Sequence, residues 1–181
     1  MEEYRLKIEN LSKSFPGVKA LDKVQLEVRP GSIHALIGEN GAGKSTLMKC
    51  LFGLYHPEEG RILIDGEEVK IHNPNEALQH GISMIHQELN PIPYRNVVDN
   101  IWVGRFQKKG LVVDEEKMRK MTEDLLADLE FDISADTLAK DLSVSQLQAI
   151  EIAKAVSYDA KLIIMDEPTS SLTVAETRHL F

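Results

Sequence analysis

Cysteine is nearly absent from this chain: Cys50 is the single one in 181 residues. A lone thiol cannot close an internal disulfide, which excludes a disulfide-built scaffold and fits a reduced, buried thiol in a cytosolic protein. Long hydrophobic runs are also missing. None approaches the roughly 18 residues of a membrane-spanning helix, so any link to a membrane is expected to pass through a partner. The first residues, Met1-Glu2-Glu3-Tyr4, lack the basic and apolar blocks of a secretory signal. Positive charge is in deficit, with 21 Lys and Arg against 29 Asp and Glu and a net charge of −8. That balance speaks against nucleic-acid binding, which needs a basic face. Internal repeats and low-complexity segments are absent.

What is present suffices for a core. Hydrophobic residues make up 43% of the chain and charges of both signs are mixed through it, which is not a disordered composition. The length suits one domain, or one domain with a subdomain.

The stretch Gly38-Glu39-Asn40-Gly41-Ala42-Gly43-Lys44-Ser45-Thr46 has the P-loop pattern of glycine, four residues, glycine, lysine and a hydroxyl residue. Glycines let the backbone turn so that successive N–H groups face a phosphate. The start of the following helix adds unpaired donors and a positive dipole end. Lys44 supplies a point charge for the β- and γ-phosphates, and Ser45 a hydroxyl for Mg²⁺. The flanks fit: residues 32–37 read as a short buried strand and residues 45–52 as a helix stopped at Gly53.

Around this loop, residues 4–11, 21–28 and 60–64 read as strands of a small antiparallel sheet, with turns at 12–17 and at Pro30-Gly31. Residues 74–80 read as a short helix, 81–86 as a buried strand, 96–104 as helical and 107–110 as a turn. Residues 114–129 form an amphipathic helix, with Met118, Met121, Leu125 and Leu129 on one stripe and Asp114 as cap. Residues 143–157 form another, packing through Leu147, Ile150, Ala153 and Ala155. Residues 161–165 are a buried strand ending at Asp166-Glu167-Pro168, and Thr173 to Glu176 fits a capping box. Two carboxylates at a strand end point to opposite sides. One can face Mg²⁺ while its neighbour faces an attacking water, the pair that phosphoanhydride hydrolysis needs. The histidines show no metal-ligand spacing.

These motifs together resemble the nucleotide-binding domain of ABC transporters over the whole chain. Residues 38–45 are similar to Walker A, and residues 162–167 to Walker B with its catalytic glutamate, Glu167. Gln87 resembles the Q-loop glutamine, Leu142-Ser143-Val144-Ser145-Gln146 the family signature, and Ser170-Ser171-Leu172-Thr173 the D-loop. Val144 and Ser145 replace the two glycines usual in the signature. That variant, with residues 13–21, 99–105 and 165–173, is similar to the monosaccharide-importer group.

The resemblance implies an α/β fold: a P-loop NTPase (RecA-like) core, a small antiparallel β subdomain and a helical subdomain. Residues 1–86 would hold the β subdomain and P-loop core, 87–158 the Q-loop, helical subdomain and signature, and 159–181 Walker B and the D-loop. It implies ATP and Mg²⁺, with Lys44, Gln87 and Glu167 catalytic and Ser45, Gln87 and Asp166 around the metal. Phe15 would stack on adenine, and residues 143–146 would act in trans on a second ABC domain. The expected partners are integral-membrane permease subunits and a periplasmic sugar-binding protein, at the cytoplasmic face of the bacterial inner membrane. The expected function is energising import of a monosaccharide such as galactose, a methyl galactoside or ribose. A soluble ABC ATPase without a membrane partner and a noncatalytic nucleotide-gated domain stay open beside it. The family's switch-histidine strand, which lies between the Walker A and Walker B strands, is not found by residue 181. The chain is therefore expected to be an incomplete domain, poorly active alone, that closes its sheet or self-associates through a swapped strand.

Overall fold

The structure is a computed structural model and describes residues 3–86 and 88–166. It divides into two compact units, Met1–Ser83 and Met84–Phe181.

The first unit is built on a four-stranded antiparallel sheet. Strands β1 (Leu6–Phe15), β2 (Val18–Val28), β3 (Glu59–Ile64) and β4 (Glu67–Val69) lie in the order β2-β1-β3-β4. Leu6 sits opposite Val28 on one side and Ile64 on the other, and Ile8 opposite Leu26 and Ile62. All of these but Leu26 are buried, so the register aligns one apolar face across three strands. The pairing is longer than the sequence suggests. The expected turn at 12–17 shrinks to Pro16-Gly17, with Gly17 at φ 83° and Phe15 paired to Val18.

β1 alternates only loosely because it is bulged. Register shifts fall between Ile8 and Leu11 and between Glu9 and Ser12, and Asn10 has φ 53°. The bulge turns both Leu11 and Ser12 inward, at 0% and 2% exposure. Helix α1 (Lys44–Leu51) follows the P-loop and buries Leu47, Cys50 and Leu51. Helix α2 (Pro74–Gln79) starts where Asn73 accepts a hydrogen bond from the Glu76 amide at 3.0 Å.

Residues 32–37 depart from the expected buried strand. They form neither helix nor strand, and their backbone groups bond to no described residue. Ile33 and Ile37 are 72% and 94% exposed. A strand exists only through a neighbour that shares its hydrogen bonds, and no described strand pairs with this one.

β5 (Ile82–Ile85), buried throughout as expected, runs across the boundary of the two units and forms a two-stranded sheet with β8 (Leu162–Met165). The second unit is chiefly helical: α3 (Val97–Trp102), α4 (Glu115–Asp128) and α5 (Val144–Val156). Its core joins Val97, Ile101 and Trp102 of α3 to Met118 and Leu126 of α4 and Ile150 and Ala153 of α5. The α4 stripe is centred on Met118, Thr122 and Leu126, with Met121, Leu125 and Leu129 packed at its edge. Thr122 is tolerated there because its hydroxyl accepts from Trp102 Nε1 at 2.8 Å and donates to the Met118 carbonyl at 2.9 Å. The expected turn at 107–110 is part of a small hairpin, β6 (Lys108–Lys109) and β7 (Val112–Val113).

Candidate nucleotide site

The loop before α1 owes its shape to glycine. Gly41 and Gly43 have φ 84° and 90°, the left-handed region that other residues avoid. Gly43 has a second reason to lack a side chain: a Cβ there would lie 2.4 Å from the Ala20 carbonyl oxygen of β2. The start of α1 is thus seated directly against the sheet, and the loop's position follows from it.

Four other helices of the described chain are capped by a side chain: Asn73 for α2, Asn96 for α3, Asp114 for α4 and Ser143 for α5. α1 begins at Gly43 with no side-chain cap. The amides of Gly41, Gly43, Lys44, Ser45 and Thr46 find no acceptor among the described residues. Five donors at the positive end of a helix therefore face outward, where an anion would satisfy them.

Lys44 lies over the loop, its Nζ donating to the carbonyls of Gly38 at 2.6 Å and Glu39 at 2.9 Å. Only the loop's own carbonyls compete for this ammonium, so a phosphate meets a cation that is already placed. Asn40 is exposed, and Ala42 tightens the turn through its amide, which donates to the Glu39 carbonyl at 3.2 Å. Ser45 is exposed and Thr46 half-buried at the helix start.

Among the described residues no cluster of three or more His, Cys, Asp or Glu could hold a metal alone. Mg²⁺ needs no such cage, because it keeps phosphate oxygens and waters and takes one or two protein ligands. The exposed Ser45 hydroxyl beside the open amides suits that role.

Phe15 closes β1 in the same unit. It is half-buried, meets Tyr55 edge-on with centroids 5.1 Å apart, and carries Lys13 Nζ 5.5 Å from its ring. Glu58 steadies this corner by accepting from the Ser14 amide and Lys13.

The second unit holds the remaining described candidates. Ser143 caps α5: its Oγ accepts from the Gln146 amide at 3.3 Å, and the Ser143 amide donates to Gln146 Oε1 at 3.0 Å. Ser145 Oγ lies 3.0 Å from Ser143 Oγ, and Val144 is 55% exposed. The four residues therefore form one hydroxyl-bearing helix start. Asp166 directly follows β8, and its amide donates to the Ile85 carbonyl at 3.2 Å. Gln87, Glu167 and the D-loop lie outside the described residues.

Two polar residues matter more than their sequence context suggests. Asn100, 5% exposed, accepts from the Ile92 amide at 2.7 Å and donates to the carbonyls of Ile92, Arg95 and Asn96. It clamps the two-proline loop to α3. Arg105 stacks 3.6 Å from the Tyr158 ring and donates to the Ser157 carbonyl and hydroxyl, tying the end of α3 to the end of α5. An asparagine inside the apolar run Val-Val-Asp-Asn-Ile-Trp is the one signal that could have drawn attention to the first; the second had none beyond its family context.

The sequence pattern described as ABC transporter matches residues 21–170. The chain belongs to the ABC transporter family. It is 59% identical over 176 residues to the galactose/methyl galactoside import ATP-binding protein MglA of Clostridium perfringens, covering 97% of this chain and 34% of that protein. It is 58% identical over 179 residues to the MglA of Escherichia coli K12, covering 99% and 35%. The chain thus spans about a third of the length of the curated relatives it matches. A solved ATP-binding cassette of an ABC transporter, in its ADP conformation, superposes with a TM-score of 0.85 at 29% identity, covering 98% of this chain and 74% of that one. The expected P-loop NTPase fold is borne out by that likeness, and the small antiparallel sheet is seen directly. Among the described residues no helix is long and apolar enough to cross a membrane.

Proposed function

We propose that this chain is the nucleotide-binding part of a subunit that hydrolyses ATP to energise import of a monosaccharide, of the galactose or methyl galactoside class, across the bacterial inner membrane. One observation carries the reading: the only side-chain-uncapped α-helix among the described residues follows a glycine loop whose five amides lack acceptors and whose lysine already spans it. The sugar rests on the names of the relatives, at 58% and 59% identity.

In this reading the amides of residues 38–46 and Lys44 bind the phosphate tail, and Phe15 stacks on the adenine. Ser45, Asp166 and Gln87 would hold Mg²⁺, which would supply neutralisation of the phosphate charge. Glu167 orients the attacking water and takes its proton, and Gln87 helps to place that water. Ser143, Val144, Ser145 and Gln146 offer a helix start to the γ-phosphate held by a second ABC domain. The subunit sits peripherally on the cytoplasmic face, docked on permease subunits that receive sugar from a periplasmic binding protein, and it needs no nucleic acid. The 181 residues, about a third of the relatives' length, bind nucleotide weakly and turn it over poorly by themselves in this reading.

Glu167→Gln in the intact protein tests the chemistry. Nucleotide binding should persist while turnover falls by about two to four orders of magnitude, the worth of a positioned base. Unchanged turnover removes Glu167 from this role. Absence of any affinity for Mg-ATP in the intact wild-type protein removes the whole proposal.

A further inference from the structure

Residues 53–58 join the far end of α1 to the end of β1. Gly53, at φ 74°, closes the helix in a turn that only glycine fits, since a Cβ there would lie 2.8 Å from the backbone of Asn73. The amides of Leu54 and Tyr55 both donate to the Lys49 carbonyl in the last turn of α1, at 2.8 Å and 3.1 Å. Tyr55 is therefore fixed to the end of α1 opposite the open amides. Its half-buried ring meets Phe15 edge-on, with centroids 5.1 Å apart and planes at 73°. Glu58 fastens the same segment to β1: its amide donates to the Ser12 carbonyl at 2.9 Å, and its carboxylate accepts from the Ser14 amide at 3.0 Å. β1 ends at Phe15. The strand thus fixes the Phe15 backbone and leaves the direction of the ring to its side-chain neighbours, Tyr55 and Lys13.

We propose that Tyr55 is a positioning residue for the nucleobase: it holds the Phe15 ring for an adenine to stack on, and it ties that platform to the helix whose start receives the phosphates. α1 has eight residues, about 12 Å of helix, with the open amides at one end and Tyr55 at the other. Both ends of a bound nucleotide are then registered against one rigid element. An edge-on aromatic pair is worth about 3- to 10-fold in an equilibrium constant, and the contact uses the ring and not the hydroxyl. The inference rests on the proposed stacking of adenine on Phe15; the phosphate loop stands without it.

Calorimetric titration of the intact protein with Mg-ATP and, separately, with Mg-tripolyphosphate, which has the phosphate tail and no base, tests it alongside steady-state hydrolysis. Tyr55→Leu should raise Kd and KM for ATP about 3- to 10-fold, leave kcat within about twofold, and leave the Kd for tripolyphosphate unchanged. Tyr55→Phe keeps the edge contact and should restore the wild-type values. In a Phe15→Ala background Tyr55→Leu should change nothing further, since it acts through that ring. Tripolyphosphate bound at wild-type affinity also shows that a variant has folded; where Tyr55→Leu does not fold, Tyr55→Met fills the space without a ring and is read in the same way. ATP affinity indifferent to loss of the Tyr55 ring, an equal loss for ATP and tripolyphosphate, no rescue by Tyr55→Phe, or a Tyr55 effect that persists without the Phe15 ring would each overturn the proposal and leave the phosphate reading intact. A wild type indifferent to Phe15→Ala would remove the stacking on which the proposal rests, and one that binds neither ligand would remove the phosphate site itself.

Discussion

Gly41→Ala and Gly43→Ala look alike in sequence and should differ in cost. Both residues have positive φ, 84° and 90°, so either alanine incurs left-handed strain of about 1–2 kcal/mol. At position 41 nothing lies within 4 Å of the added Cβ, and the cost stops there. At position 43 the Cβ would lie 2.4 Å from the Ala20 carbonyl oxygen and 3.1 Å from Leu21 Cδ2. The oxygen belongs to β2 and cannot rotate away, so the helix start or the strand must shift, at about 1–3 kcal/mol more. The sum for Gly43→Ala is about 2–5 kcal/mol. In a chain of this size the two variants should melt about 2–10 °C apart, with Gly43→Ala the lower. Thermal unfolding followed by circular dichroism measures the gap. Titration with a fluorescent ATP analogue and Mg²⁺ adds a second axis, since each alanine re-aims amides of the loop and should weaken binding. Equal melting temperatures, or a milder effect at 43, would refute the argument that β2 seats the phosphate loop.

Two further outcomes follow from the packing. Asn100→Leu keeps the volume of α3 but leaves the Ile92 amide without its acceptor, while the carbonyls of Ile92, Arg95 and Asn96 each keep a backbone donor; it should cost about 1–3 kcal/mol in urea denaturation, and a loss below about 0.5 kcal/mol would show that solvent already serves that amide. Cys50 is fully buried, and burial pushes its thiol up to about 11, so alkylation at pH 8 should proceed only on unfolding. Above the ordinary thiol pKa the unfolded chain releases this proton while the folded chain keeps it, so Cys50 should lower stability as pH rises from about 9 to 11. Labelling of the folded chain at the rate of a small-molecule thiol would contradict this.

How much of the chain could be read in advance depended on how local each cause was. Asp114 and the run from Ser143 to Gln146 mark helix starts because a cap acts within four residues, and the structure forms both. The alternation of Val24, Leu26 and Val28 against Gln25 and Glu27 survives in the burial of β2. The bulge at Asn10 did not show, because it depends on Gly60 of β3, where a Cβ would lie 2.5 Å from the Asn10 carbonyl. The 108–113 hairpin was missed because its strands are two residues each. Asn100 reads as an ordinary polar residue until the loop from Ile92 to Asn96 folds around it.

By itself the sequence determined the make-up of the glycine loop. The glycine spacing, Lys44 and Ser45 are covalent neighbours, and neighbours impose their geometry without help from afar. Tertiary structure alone decided where that loop is held and what stays uncovered. The Ala20 carbonyl meets Gly43 only once β2 is in its sheet. Residues 32–37 have a strand's composition but form no strand, since backbone pairing takes two partners and composition supplies one.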